Sequence, residues 1–256
     1  MKRPDLRALA IAPILGILLH PAPLSAQAHA GAHWSYAGET GPTHWSELDT
    51  AFAQCGIGGN QSPIDLSVTT PPGLLPLRFQ YRSISGSILN NGHTVQVNVD
   101  SGAAILVDST RYELLQFHFH VPSEHSINGR PADAELHLVH RNRNGGLAVV
   151  GVLLVKGKES AALAPLMQAL PAHEGPPVRL EHQVDLGKLL PNTRTTYGYS
   201  GSLTTPPCTE GVKWIVMATP LSLSDQQLSA LAAILHGNNR PLQPLHGRVV
   251  SLSTTP

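Results

Sequence analysis

The stretch "QFHFHVPSEH", Gln116–His125, begins with the alternation of polar and aromatic residues that is typical of a half-buried β-strand. Successive side chains of a strand point to opposite faces, so Gln116, His118 and His120 share one face while two phenylalanines share the other. We therefore predict a strand that presents two imidazoles above a packed aromatic face. A His-x-His pair alone is also the pattern of two partly exposed strand residues that bind nothing.

A second segment, "AELHLVH" at residues 134–140, repeats this alternation and places Glu135, His137 and Val139 on one face. If the two strands pair, His137 completes a three-histidine cluster. Three neutral imidazoles leave a zinc ion with its full double charge and one open position, which is typical of a catalytic zinc site. Gln116 and Glu135 stand where they can accept hydrogen bonds from the ligand rings and fix their tautomers.

The first stretch also fits a different metal site. The spacing His118-x-His120-x-x-x-Glu124 matches the first metal motif of cupins, in which the glutamate is itself a ligand and the metal is iron or manganese. Against this assignment, no glycine follows Glu124 at the expected distance, and the third histidine stands in a separate "ExH" strand. The three-histidine site is the favoured hypothesis.

The composition predicts a mostly β (α+β) single domain. The chain has 256 residues, and its 23 glycines and 22 prolines suit many short strands joined by turns. From residue 33 onward there is no linker, repeat or low-complexity tract. Basic and acidic residues number 17 each and form no blocks, so we expect a small-molecule partner and no nucleic-acid partner. The candidate strands are 87–99, 103–107, 113–121, 134–142, 147–156 and 212–221.

Local signals also predict one hairpin and a few helices. The run Asn144–Gly146 is a turn between the strands at 134–142 and 147–156. Residues 224–235 form a helix, with Ser224 as N-cap and Gln227 three residues later completing a capping box. Residues 160–170 are a second, weaker helix candidate.

The N-terminus has the pattern of an export signal. Residues 1–28 combine a basic start, the apolar run Ala8–Leu19 and small residues for cleavage after Ala28 or Ala30, which leaves 29–256 as the mature domain. The apolar run is shorter than the roughly 20 residues of a membrane span, so we expect no membrane association after cleavage. Export predicts a protein located outside the cytoplasm, and it predicts pairing of Cys55 with Cys208 in a disulfide.

Taken together, these motifs resemble the α-class carbonic anhydrases, and the two cysteines and the short "VPSEH" continuation resemble its exported bacterial branch. That resemblance implies a periplasmic protein, with secretion as the alternative. The resemblance implies a single domain on a large twisted, mainly antiparallel central β-sheet with a few short surface helices. It implies zinc-dependent, reversible hydration of carbon dioxide to bicarbonate and a proton, by a monomer or a homodimer. The motifs are "QFHFHVPSEH", "AELHLVH" and "GSLTTPPCTEGVKWIV", accompanied in the family's order by "HWSYAGETGPTHW", "CGIGGNQSPIDL", "LNNGHTVQV" and "NNRPLQPLHGR".

The resemblance also implies how the catalytic residues act. Zinc-bound hydroxide attacks carbon dioxide; Thr204 accepts a hydrogen bond from this hydroxide and donates its own proton to Glu124, which is then not a metal ligand. Thr205 helps to seat bicarbonate, and Tyr36 belongs to the active-site water network. His93 is the proton shuttle, a role suited to an imidazole because its ordinary pKa of about 6.5 lets it take and release protons near neutral pH.

The remaining implied residues form the metal centre and its surroundings. The zinc ligands are His118, His120 and His137, with Gln116 and Glu135 as their hydrogen-bond partners. The apolar wall for carbon dioxide is Val139, Val149, Leu203, Val212 and Trp214. The resemblance further implies cis peptides at Ser62–Pro63 and Pro206–Pro207, and a Cys55–Cys208 disulfide that braces the Thr204 loop. Family members that have lost catalysis lack metal histidines; all three are present here, which favours an enzyme over a zinc-binding or adhesion module.

Overall fold

The structure, a computed structural model, describes residues 32–67 and 77–254. The predicted signal peptide at 1–28 and its cleavage sites lie outside the described residues. Within the described ranges, none of the helices has the length and apolar character of a membrane span.

An 11-stranded mixed sheet forms the centre of the fold, which confirms the predicted mostly β architecture. The strands are β1 (Leu77–Gln80), β2 (Ser83–Ile84), β3 (Gly86–Asn90), β4 (Val95–Val99), β5 (Ala104–Val107), β6 (Thr110–His120), β7 (Ser126–Ile127), β8 (Arg130–Pro131), β9 (Ala134–Arg141), β10 (Leu147–Lys156), β11 (Val178–Arg179), β12 (Val184–Asp185), β13 (Thr195–Ser202), β14 (Glu210–Leu223) and β15 (Ser251–Thr254). The order across the sheet is β11-β3-β4-β6-β9-β10-β14-β13-β15, with β5 joining β6 to β1. Strands β10 and β14 pair in parallel, whereas β6, β9 and β10 pair antiparallel.

Helices are short and lie outside this sheet. The α-helices are α1 (Trp45–Leu48), α2 (Gln54–Ile57), α3 (Ala164–Gln168) and α4 (Asp225–Leu235), and the 3-10 helices are Gly38–Thr40, Thr50–Phe52 and Leu186–Leu189. The predicted capping box of α4 is confirmed, because the Ser224 hydroxyl accepts from the Gln227 N–H and the Gln227 side chain accepts from the Ser224 N–H. The candidate helix at 160–170 is shorter than predicted. Pro165 stands in its first turn, where proline can start a helix but disfavours helical residues before it.

The predicted strand at 87–99 is in fact two strands, β3 and β4, joined by a tight turn. Gly92 adopts a φ of +85°, which favours glycine, and the Asn91 side chain accepts hydrogen bonds from the N–H groups of His93 and Thr94. The turn places His93 at its tip rather than within a strand. The hairpin predicted at Asn144–Gly146 is confirmed between β9 and β10.

The two faces of the sheet separate packing from the polar site, as the alternation predicts. Phe117 and Phe119 are fully buried in the larger apolar core together with Leu136 and Leu138. On the opposite face, alternate residues of β6 and β9 carry the histidines beside a smaller apolar cluster that contains Trp214. The packed face thus supplies a rigid floor for the polar one.

We expect the buried His140 to make the fold sensitive to acid. Burial lowers the pKa of His140 to about 3, and its ring contacts the Tyr81 hydroxyl at 2.8 Å. Below about pH 6.5 the unfolded chain binds a proton that the native protein rejects until about pH 3, so unfolding becomes easier as the pH falls. For one such group the slope is about 1.4 kcal/mol per pH unit.

Urea unfolding of metal-stripped protein between pH 6 and pH 4 measures this effect. His140→Gln should reduce the pH slope of the unfolding free energy by about 1.4 kcal/mol per pH unit, whatever its effect at a single pH. His173→Gln, which removes an exposed histidine, should leave the slope unchanged. Equal slopes for wild type and His140→Gln would show that the native state accommodates the charged imidazole.

Candidate metal centre

The pairing of β6 with β9 brings the three predicted histidines together. His118 lies directly opposite His137 in the register of the two strands, and His120 follows two residues later on the same face. Their ring centroids are separated by 4.5 to 5.3 Å. One ring nitrogen from each lies within 4.8 Å of the others, which is close enough for one ion to be shared.

Hydrogen bonds on the outer side fix which nitrogen of two rings carries its proton. His118 Nδ1 lies 2.8 Å from Gln116 Oε1, and His120 Nδ1 lies 2.7 Å from the backbone oxygen of Asn238. Both oxygens can only accept, so both Nδ1 atoms must donate. Each Nε2 then retains its lone pair, and His120 Nε2 is buried without a hydrogen-bond partner among the described residues.

Glu135 is fully buried behind the third ring. Its Oε1 lies 3.0 Å from His137 Nε2, although the N–H is not aimed well enough for a full hydrogen bond and Nε2 has no other partner among the described residues. Burial alone would raise the pKa of Glu135. Electrostatic attraction and hydrogen bonding to the His125 and His137 rings outweigh burial and hold this pKa well below its usual value, so Glu135 is a carboxylate.

The imidazoles are neutral, as metal ligands must be. Burial lowers the pKa of His120 to about 4 and that of His118 well below 6.5, even though an edge of His118 remains accessible. Burial also lowers the pKa of His137, against the opposing charge of Glu135. A buried nitrogen without a partner costs about 1–3 kcal/mol, and a bound metal would satisfy it. Three neutral imidazoles without a thiolate or carboxylate fit zinc with an open fourth position.

Glu124 lies beside this cluster and not within it. Its Oε2 is 3.6 Å from His120 Nε2 and 3.9 Å from His137 Nδ1, while its Oε1 accepts from the Arg240 N–H at 2.9 Å. In the part of the chain that the structure describes, neither of the two side-chain groupings that could hold a metal includes Glu124. The cupin-like assignment therefore has no structural support.

Thr204 lies in the loop between β13 and β14, next to Glu124. Burial raises the pKa of Glu124 to about 7, while His137, the Arg240 N–H and the Thr204 hydroxyl act in the opposite direction. The Thr204 contact falls short of full hydrogen-bond geometry, so Glu124 Oε2 is left without a strict partner among the described residues. A cation nearby would favour the ionised carboxylate.

The predicted Cys55–Cys208 disulfide is confirmed and ties this loop to α2. The Cys208 N–H donates to the Thr205 carbonyl at 2.8 Å, which closes the loop on itself. The cis peptides expected at Ser62–Pro63 and Pro206–Pro207 are both present.

His93 lies apart from the metal cluster, beside a cavity of about 380 Å³ that Trp34 and Tyr36 also line. It is half-buried and stacks flat on the Trp34 ring, with centroids 3.7 Å apart and ring planes 5° apart. Burial lowers the pKa of His93; His33 lowers it further, and Glu174 raises it. Burial and the charge of Glu124 raise the pKa of Tyr36, so its hydroxyl stays protonated.

The five residues predicted as the apolar wall belong to one cluster on the histidine side of the sheet. The Trp214 ring lies 4.8 Å from the His137 ring, and Val149 pairs directly with Val139 across β9 and β10. Leu203 is only partly buried, where the cluster meets the Thr204 loop. The members of the cluster that were predicted from sequence are Val139, Val149, Leu203, Val212 and Trp214.

Three residues of the site were not assigned a role from the sequence. Asn238 holds His120, donates to the carbonyls of His93 and Phe119, and stands 118 residues from the ring it fixes. Arg240 holds Glu124, and His125 contacts Glu135. His125 was visible in the opening stretch but breaks the alternation. Asn238 and Arg240 stand in the "NNRPLQPLHGR" motif, to which the sequence assigned no role.

Comparisons with known proteins agree with this geometry. A family model described as eukaryotic-type carbonic anhydrase matches residues 40–254. A carbonic anhydrase of Klebsiella pneumoniae is 44% identical over 222 residues, covering 86% of this chain and 90% of that protein. One from Pectobacterium atrosepticum is 40% identical over 234 residues, covering 91% and 96%. The α-carbonic anhydrase of Thermovibrio ammonificans, solved with the inhibitor sulfanilamide, superposes with a TM-score of 0.82 at 43% identity and covers 86% of this chain and 99% of its own.

Proposed function

Because this chain belongs to the eukaryotic-type, or α-class, carbonic anhydrase family, we propose that it catalyses the zinc-dependent, reversible hydration of carbon dioxide to bicarbonate and a proton. The observation that carries this proposal is the convergence of three neutral imidazoles whose outer nitrogens are held by Gln116, Asn238 and Glu135. His118, His120 and His137 would hold the metal. Zinc bound there would act as a Lewis acid and lower the pKa of a water to about 7, an effect for which carbonic anhydrases are themselves the standard example.

Thr204 and Glu124 orient the reacting oxygen. When the Thr204 hydroxyl donates its proton to the Glu124 carboxylate, the Thr204 oxygen can only accept from the nucleophile. A nucleophile that must donate its proton to Thr204 keeps a lone pair free to attack carbon. The Arg240 N–H holds the other carboxylate oxygen, so Glu124 cannot turn away. Thr205, on the same loop, helps to seat bicarbonate.

The apolar wall receives carbon dioxide, which is small and lacks charge. Val149, Val212 and Trp214 are each no more than 2% exposed, so the wall is already packed and needs no ordering when substrate enters. Val139 and Leu203 complete it next to His137 and Thr204. Weak binding by such a surface suits a substrate that must enter and a product that must leave.

His93 carries the proton to solvent. Its ring is half-buried at a cavity that also contains Tyr36, and it is held in one plane by Trp34. An imidazole, whose ordinary pKa is about 6.5, can take a proton from water inside the site and release it to buffer outside, and burial, which lowers the pKa of His93, favours the release. Tyr36 would order that water.

We also propose that the chain is exported. The N-terminal signal at 1–28 and the Cys55–Cys208 disulfide support a periplasmic location, with secretion as the alternative, because such disulfides persist in oxidising compartments. The active unit is a monomer or a homodimer.

Stopped-flow carbon dioxide hydration tests the proposed function directly. The mature protein is measured as purified, after removal of zinc and after its return. Hydration that is fast, lost with zinc and restored with zinc is the expected result. No hydration by protein that is folded and fully loaded with zinc would overturn the proposal.

His93→Ala is expected to slow turnover by about tenfold or more in dilute buffer, because the proton then lacks its carrier. Added imidazole should restore the rate, since it can carry the proton through the space that the side chain vacated. His236→Asn, which changes another histidine lining the same cavity and tolerates the left-handed backbone there, is the matched control. An unchanged rate for His93→Ala in weak buffer would show that a different group carries the proton.

A further inference from the structure

A line of buried hydrogen bonds leads away from the metal cluster through residues that the proposed reaction does not use. Glu135 Oε1 contacts His125 Nδ1 at 2.8 Å, and His125 Nε2 contacts the Tyr199 hydroxyl at 2.7 Å. The Tyr199 hydroxyl contacts the Ser62 hydroxyl at 2.8 Å. The Ser62 hydroxyl in turn accepts from the Ser202 N–H at 3.1 Å. His125 and Ser62 are 0% exposed and Tyr199 is 7% exposed, so water does not compete for these contacts.

The position of each proton along this line follows from its metal end. The Glu135 carboxylate can only accept, so His125 Nδ1 donates and, in the neutral ring, Nε2 holds a lone pair. Tyr199 must then donate to His125, and Ser62 must donate to Tyr199. Burial raises the pKa of the Tyr199 phenol well above its usual value, which keeps the required proton in place. Every hydrogen bond along the line therefore donates in the same direction, toward Glu135.

The line bears on the metal because Glu135 is shared. Its Oε1 contacts His125 and faces His137 Nε2, while its Oε2 accepts the N–H groups of Glu124 and His125. Reversal of the His125 tautomer would set a bare nitrogen against the carboxylate, and the repulsion would displace Glu135 from His137. Mutation of a hydrogen-bond partner of a metal ligand typically lowers metal affinity by about 10- to 100-fold.

His125, Glu135 and His137 also lie close enough together to hold a metal themselves. Glu135 lies 2.8 Å from His125 in a hydrogen bond that carries a proton, and 3.0 Å from His137, so proton-mediated contacts already occupy the space between these side chains. His137 would moreover have to serve this grouping and the three-histidine cluster at once. A proton network is therefore the better account of this grouping than a second metal site.

The packing around Tyr199 leaves its ring little freedom. Trp214 stacks on it with planes 10° apart. Gly201 comes so close that a Cβ in its place would overlap the Ser62 hydroxyl and the Tyr199 ring. The phenol is therefore aimed at His125 by its surroundings and not by the hydrogen bond alone.

We propose that Tyr199 is a positioning residue for the metal centre: by donating to His125 Nε2 it holds that ring in place, so that His125 Nδ1 keeps Glu135 against His137, and it thereby slows loss of the metal. The proposal rests on the proposed function only in taking zinc as the metal of the three-histidine cluster. Tyr199 contacts neither the ring nitrogens that would bind the metal nor the reacting atoms. It acts only through His125 and Glu135.

The test compares zinc release from Tyr199→Phe with release from wild type. Zinc-loaded protein is mixed with excess chelator at pH 7 and the loss of zinc is followed with time. Tyr199→Phe should release zinc about 10-fold faster, at the lower end of the range for direct partners of metal ligands, because Tyr199 acts through two intervening residues. Tyr197→Phe is the matched control and should release zinc at the wild-type rate, because Tyr197 lies on the same strand and is similarly buried, but has no hydroxyl hydrogen bond among the described residues. Equal release from Tyr199→Phe and wild type would overturn the proposal.

Nitrogen NMR of the imidazole rings gives a second readout that does not depend on how well the variant folds. In zinc-loaded wild type, His125 should be protonated on Nδ1 alone. Protonation on Nε2, or on both nitrogens, would overturn the proposal. Failure of the proposed function is recognised separately, as zinc-loaded wild type that retains its metal and this tautomer but does not hydrate carbon dioxide.

Discussion

His137→Ala is expected to abolish zinc binding and carbon dioxide hydration together. His137 supplies one of the three imidazoles. The two that remain, both on β6, are fewer than the three protein ligands that a catalytic zinc site needs. The substitution also removes a partner from the buried Glu135 carboxylate, which further disfavours the native arrangement of the site. Metal analysis of purified protein and stopped-flow hydration measure the two losses, and activity should fall to the rate in buffer alone.

The matched control for this substitution lies on the same strand. His140 is three residues away, is also buried, and points to the opposite face of β9, where it contacts Tyr81. His140→Gln should therefore keep one zinc per chain and near wild-type hydration, although it changes a buried histidine. Full activity of His137→Ala without bound metal would refute the zinc mechanism.

Thr204→Ala is expected to lower kcat/KM for carbon dioxide by about 100-fold while zinc stays bound. The loss is that of one preorganised group that orients the reacting oxygen, for which about 100- to 1,000-fold is typical. Glu124→Gln should cause a similar loss, because an amide can present an N–H to Thr204 and reverse the direction of donation. Stopped-flow hydration with parallel zinc analysis measures both.

Thr204 and Glu124 should behave as one unit. If Thr204 acts only through its proton donation to Glu124, the double variant should lose little more activity than either single variant. Thr209→Ala, which changes an exposed threonine of the same loop, should leave hydration unchanged. Full multiplication of the two single losses in the double variant would show that the residues act independently.

The sheet and the faces of its strands were predictable because they depend on local alternation. The period of two along 116–120 and 134–140 assigned the histidines to one face and the phenylalanines to the other, and the structure confirms the two faces. The same signal failed at 87–99, where β-branched residues predicted one strand. The turn chemistry of Asn91 and Gly92 overrode that propensity.

The groups that fix the ligands were less accessible from sequence because they come from distant parts of the chain. The Asn238 carbonyl that orients His120 is a backbone atom, which every residue possesses, and no side-chain pattern marks it. Arg240 likewise holds Glu124 through its backbone N–H. By contrast, Gln116 and Glu135 stand two residues from the ligands that they contact, within the strands whose alternation identifies those ligands.

The long-range contact between Asn238 and His120 bears on how the protein is made. All three metal histidines are synthesised more than 90 residues before Asn238, yet His120 acquires its outer partner only after that late segment has docked. A nascent or truncated chain that ends before Asn238 would contain every ligand and still lack the group that orients one of them. Under the proposed function, correct zinc loading would therefore depend on completion of the polypeptide, and an unfinished chain would compete poorly for scarce zinc.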